Sequence, residues 1–105
     1  MAVDHKVAFD SVPWDILAPG ARHKVYRDGD TVLRLIEFTH GFVEPDWCLR
    51  GHVGYVLAGD LDVDFAGAIE HFTAGDGVFI PPGEAHRHKA IVVSDVVRLV
   101  LVEHA

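Results

Sequence analysis

Short apolar runs, cut every few residues by glycine, proline or aspartate, fill this chain, and that rhythm restricts its fold more than any other feature. Residues 22–27 read as a strand, and Arg27-Asp28-Gly29-Asp30 as a hairpin turn with a left-handed position. Residues 31–39 (TVLRLIEFT) are rich in β-formers. After a connection from Gly41 to Arg50 comes a strand from His52 to Leu57, closed by Gly59-Asp60. Leu61-Asp62-Val63-Asp64-Phe65 alternates strictly, giving one apolar and one acidic face. Gly67 turns the chain back into 69–72, and Gly75-Asp76-Gly77 precedes residues 78–80. Pro81-Pro82-Gly83 interrupts the run before strands over 86–93 and 96–103. No segment holds a helical period; only residues 11–18 suggest a turn of helix. Eight or nine strands joined by short turns require two packed sheets or a closed barrel, an all-β fold.

At 105 residues the chain suits one domain, and a hydrophobic content of 50% supplies a core. The reading is an N-terminal arm over residues 1–16 followed by a barrel over 17–105. The arm carries Val3, Val7, Phe9, Val12 and Trp14, apolar enough to pack on something. A net charge of −7 repels phosphate backbones and anionic lipid, so nucleic acid and membranes are not expected partners. The single cysteine, Cys48, forbids an intrachain disulfide and suggests a reducing compartment. With no basic-then-apolar leader and no run near eighteen apolar residues, a cytoplasmic protein is expected.

Gly75-Asp76-Gly77-Val78-Phe79-Ile80-Pro81-Pro82-Gly83-Glu84-Ala85-His86 resembles the second motif of the cupin superfamily, G-x5-P-x-G-x2-H. The family's later asparagine is replaced by Ala90. His52-Val53-Gly54-Tyr55-Val56-Leu57-Ala58-Gly59 is similar to the second half of the first motif, with His52 where the family has glutamate. Counting back from His52, the family's H-x-H pair falls on Asp46 and Cys48 or on Pro45 and Trp47. Counting forward from Gly41, it falls on Trp47 and Leu49. Only the first choice offers metal-binding atoms. The resemblance implies a double-stranded β-helix of jelly-roll type, and a homodimer such as cupins commonly form, often by lending an N-terminal strand.

The expected site centres on His52 and His86, with Cys48, Asp46 and His88 as further metal ligands and Trp47, Val56 and Phe79 as pocket walls. On a strand His86 and His88 share a face, opposite Arg87 and Lys89. Imidazole suits zinc, copper, iron and nickel, manganese is a further candidate, and a mixed sulfur–nitrogen set favours zinc or copper over magnesium or calcium. Cys48 is equally readable as a small buried hydrophobe, Asp46 as a turn residue and Trp47 as core. Histidines 5, 23, 40, 71 and 104 read as surface residues, and Asp62 and Asp64 as the wet face of a strand. Nucleophile elbow, dinucleotide loop and C-x-x-C are all absent. A thiol–imidazole pair of Cys48 with His52 or His86 is a further chemistry to test. Three functions follow: a cupin that binds a divalent transition metal and a small-molecule ligand, with an enzyme among its forms; a metal-free binding or sensor module; and a structural partner protein.

Overall fold

Two nine-residue strands form the spine of the molecule. In the computed structural model, which describes residues 5–104, β3 (Thr31–Thr39) pairs antiparallel with β9 (Val96–His104) along their whole length. On β3, Val32, Ile36 and Phe38 point inward; on β9, Val97, Leu99 and Leu101 do the same. Alternation of this kind buries one face of each strand and leaves the other to water.

Around this pair, β1 (Asp15–Ala18), β2 (Ala21–Asp28), β4 (His52–Ala58) and β7 (Gly77–Ile80) complete a six-stranded sheet in the order β1-β2-β3-β9-β4-β7. The second sheet, β6-β5-β8, comprises β5 (Asp60–Asp64), β6 (Ile69–Thr73) and β8 (Lys89–Val92). Leu61 and Val63 of β5 face the larger sheet, and Asp62 and Asp64 face out, as the alternation predicts. Val56 and Val97 are fully buried between the sheets. Burying a side chain of this kind contributes about 1.5–3 kcal/mol.

Among the described residues nine strands form, within the eight or nine expected, and Gly29, at φ +56°, makes the β2–β3 hairpin where a left-handed residue was expected. Two local expectations need correction. Residues 11–18 form no helix: a 3-10 turn spans Phe9–Ser11, and β1 follows because Asp15 to Ala18 find partners on β2. The strand expected over 86–93 starts later, at Lys89, because the chain after Gly83 winds into a 3-10 turn over Glu84–His86.

β1 straddles residues 16 and 17, and the described part of the arm, from residue 5 on, lies on the sheet of its own chain. Lys24 Nζ donates to the Phe9 carbonyl at 2.7 Å, and the Arg22 guanidinium stacks 4.1 Å over Trp14. Val3 of the arm lies outside the described residues. Among the described residues, no helix is long and apolar enough to cross a membrane.

The outer face of the large sheet is apolar at one end. Register brings Phe79 and Val102 beside Val53, all three exposed. Nearer the arm the same face is ionic: Glu37 lies between Arg22 of β2 and Arg98 of β9, which are its direct cross-strand neighbours. Arg22 Nη2 sits 2.7 Å and Arg98 Nε 2.9 Å from its carboxylate. Burial alone would raise the Glu37 pKa, but hydrogen bonds and charge from both arginines outweigh it and hold the carboxyl below 4.5. A carboxyl depressed by folding stabilises the native state at pH values above its unfolded pKa, and that contribution is lost on acidification. Glu37→Gln should therefore lower stability at pH 7 by about 1–2 kcal/mol. Urea midpoints at pH 7 and pH 3 should differ less for the variant than for the parent.

Candidate metal and ligand site

Register alone makes His52 and Glu103 neighbours. β4 and β9 pair as Val53 with Val102 and Gly54 with Leu101, so the inward positions one step along are His52 and Glu103. Gly54 is what permits this approach, since a Cβ there would stand 1.9 Å from the Val100 carbonyl oxygen. The second half of the site comes from an isolated bridge between the connection before β4 and the residue preceding β8. Cys48, four residues before His52, exchanges backbone hydrogen bonds with His88: Cys48 N–H to the His88 oxygen at 2.9 Å, and His88 N–H to the Cys48 oxygen at 3.1 Å.

These pairings converge three ligand-type atoms. Cys48 Sγ, one ring nitrogen of His52 and one of His88 lie within 4.8 Å of one another. Cys48 Sγ is 3.5 Å from His52 Nε2. The opposite nitrogen of each imidazole is pinned. His52 Nδ1 lies 2.6 Å from Glu103 Oε2, as an ion pair rather than an in-line hydrogen bond. His88 Nδ1 donates to the His86 carbonyl at 3.0 Å, an acceptor that fixes the proton on that nitrogen. His88 Nε2 is then left buried with no hydrogen-bond partner. A buried, unpartnered polar atom is uncommon in native proteins and calls for an explanation.

Charge is organised along the same line. Glu103 is 3% exposed, and Arg34 Nη1 donates to its Oε2 at 2.7 Å. Burial disfavours its charged form, but His52 and Arg34 prevail and hold the carboxyl below the usual range. Burial likewise opposes a charged His52, yet Cys48 and Glu103 raise it to about 9. Cys48 is pushed up by burial and brought down to about 6, first by the His52 imidazole in contact with its sulfur and further by the nearby His88 ring. His88 is raised, against burial, by Cys48 and the His86 carbonyl. At neutral pH the site holds a thiolate–imidazolium pair backed by a buried carboxylate.

Of the residues expected from the sequence, the structure brings together His52, Cys48 and His88. His86 is exposed in the 3-10 turn and contributes only its carbonyl. Asp46 is exposed in the connection before β4 and lies outside the three-residue cluster. Trp47 is 40% exposed, with the Lys89 ammonium 4.5 Å over its ring. Val56 sits in the filled core, and Phe79 is 79% exposed on the outer face. The pocket walls are other residues: the three donors open on a cavity of about 380 Å3 lined by Phe38, Phe42, Leu61, Phe72 and Leu101 among others.

The profile of the cupin domain family matches residues 50–103, just over half of the chain. The chain belongs to the cupin family. No curated protein matches it. Solved structures give this cupin its jelly-roll barrel. KdgF from Halomonas sp. is 22% identical with a TM-score of 0.76, covering 90% of this chain and 89% of its own. An RmlC-like cupin from Shewanella frigidimarina is 23% identical at a TM-score of 0.77, covering 97% and 91%. The polyketide cyclase RemF from Streptomyces resistomycificus is 23% identical at a TM-score of 0.79, covering 97% and 80%. At such identities the likeness establishes the fold alone.

Sequence reasoning missed Glu103 and Arg34. The signal was available for Glu103, which falls in phase with Val97, Leu99 and Leu101, three inward positions of one strand. With metal chelated, Cys48 of this cupin should react with iodoacetamide along a pH profile centred near 6. Glu103→Gln should move that midpoint upward toward 9.0, the ordinary thiol value. A parent midpoint of 8 or above contradicts the ion pair.

Proposed function

We propose that this cupin holds a divalent transition metal with Cys48, His52 and His88 and presents it to a small molecule in the barrel cavity. The observation that carries the reading is His88 Nε2, buried without a partner and grouped with Cys48 Sγ and a His52 nitrogen. The donor set fits the metal by type, since one thiolate and two imidazoles favour zinc or copper over magnesium and calcium. It also fits by spacing. Zinc bonds of about 2.3 Å to sulfur and about 2.05 Å to nitrogen, at a tetrahedral angle, set the two donors about 3.5 Å apart. Cys48 Sγ and His52 Nε2 are 3.5 Å apart.

The chain's own groups have definable tasks. Glu103 orients the His52 ring and raises its basicity, as carboxylates beside metal-binding histidines do. The His86 carbonyl does the same for His88. Arg34 anchors Glu103 and partly neutralises it. Three protein donors leave one position for a ligand, and a bound metal would there act as a Lewis acid toward an oxygen of that ligand. The rival reading is a metal-free binding or sensor module, supported by the 3.5 Å contact in which Cys48 Sγ and His52 Nε2 partner each other.

Protein purified without added metal should carry near one equivalent of zinc, copper, iron, nickel or manganese by elemental analysis. His88→Ala should weaken zinc binding by at least 10-fold, about 1.4 kcal/mol. Finding no metal, together with a melting temperature indifferent to added zinc, removes this reading in favour of the module. Proton and metal compete for His52 Nε2, whose pKa is about 9. Zinc affinity should then rise as pH increases from 7 to 9, by up to about 10-fold per pH unit, with about one proton released. Calorimetry in buffers of different ionisation enthalpy counts that proton.

A further inference from the structure

The walls behind the three donors differ sharply from the donors themselves. Ile36, Phe38, Leu61, Phe72, Ile80 and Leu101 line the cavity with hydrocarbon from both sheets. Phe38 and Phe42 stack in parallel, with centroids 4.9 Å apart and an 8° interplanar angle, and add a flat aromatic surface to the lining.

Of the remaining charged side chains on the wall, Arg34 and Glu44 are engaged with protein groups and Arg50 lies out toward solvent. Arg34 bonds Glu103 at 2.7 Å and His23 Nδ1 at 3.1 Å. Glu44 Oε1 accepts the Ala90 N–H at 2.8 Å. Arg50 is 73% exposed and reaches only to 3.9 Å from Glu103. The polar chemistry offered to an occupant is thus gathered at the Cys48, His52 and His88 end.

We propose that the cavity takes a ring-bearing, largely apolar molecule with a single oxygen head group turned toward Cys48, His52 and His88, and rejects sugars and polyols. Resting on the site reading above, this names the ligand class for it. Size follows from volume: 380 Å3, divided at about 30 Å3 per water-sized group, admits about a dozen non-hydrogen atoms. A fused two-ring phenol or carboxylate has that size. A monosaccharide of similar bulk turns several hydroxyls toward the hydrocarbon of Ile36, Phe38, Leu61, Phe72, Ile80 and Leu101, and each one buried there loses its water without replacement. A hydroxyl, enol or carboxylate placed at the donor end either faces a metal or meets the His52 and His88 rings directly, while the rings of the ligand lie against Phe38 and Phe42.

Calorimetric titration of the zinc-treated protein with 2-naphthol, 2-naphthoate, D-glucose and D-glucuronate tests the assignment. At least one naphthyl compound should bind 100-fold or more tightly than either sugar. Glucuronate binding as tightly as naphthoate overturns the proposal, and so does failure of both naphthyl compounds. Ala18→Trp, which places an indole among the wall residues, should weaken the naphthyl compound at least 10-fold while leaving zinc affinity intact. Unchanged naphthyl affinity in a folded variant overturns the location. The comparison of ligands on the parent protein stands whether or not that variant folds. The outcomes also separate the two readings. Zinc bound without naphthyl binding defeats the ligand class and spares the metal. Naphthyl preference persisting in protein that binds no zinc spares the ligand class and defeats the metal.

Discussion

A carboxylate taken out of water must be compensated where it stands, and Glu103 is the point from which this site is organised. It lies at the inward end of β9, and its charge survives there because Arg34 and His52 reach it from the strands on either side. That compensation has a direction. Arg34 is permanently charged, so the flexible member is His52, which Glu103 biases toward carrying a proton. The proton-bearing ring in turn favours thiolate over thiol at Cys48. One buried acid therefore sets the state of a sulfur on the far side of an imidazole.

The interior between the sheets is part packed and part hollow. Val56 and Val97 are sealed completely, while their cross-strand partners Leu99 and Phe38 already line the cavity. Hollow interior gives up the dispersion contacts that packing would have supplied. The packed residues and the long β3–β9 ladder support that loss, and an occupant would recover part of it by binding only the folded chain.

Much of this was legible in the residues. The strand count, the left-handed turn at Gly29 and the acidic outer face of β5 follow from local patterns, which strands and turns display directly. His52 and Cys48 were legible as site candidates from their place relative to the first motif. His86 shows where such reading stops. The second motif marks it as the inward histidine, but the 3-10 turn after Gly83 shifts the chain, and His88 arrives at the inward position instead. That turn is stabilised by backbone hydrogen bonds, His86 N–H to the Gly83 oxygen among them, which no spacing rule reveals. Glu103 and Arg34 were harder still. Their role depends on register between strands distant in sequence, and each looks like an ordinary charged residue in an apolar run. Phe79 failed for the opposite reason: its size suggested interior, while its phase on β7, between the buried Val78 and Ile80, faces it outward.

Gly54 gives the site an uneven freedom to change. Since a side chain there would collide with the β9 backbone, the distance between His52 and Glu103 is set by main chain alone. Pocket walls contributed by the opposite sheet, Leu61 and Phe72 among them, touch no part of that contact. Substitution of wall residues one at a time can accordingly reshape what the barrel accepts. The donor end tolerates no comparable drift, because a single methyl group at position 54 would push apart the two strands that define it.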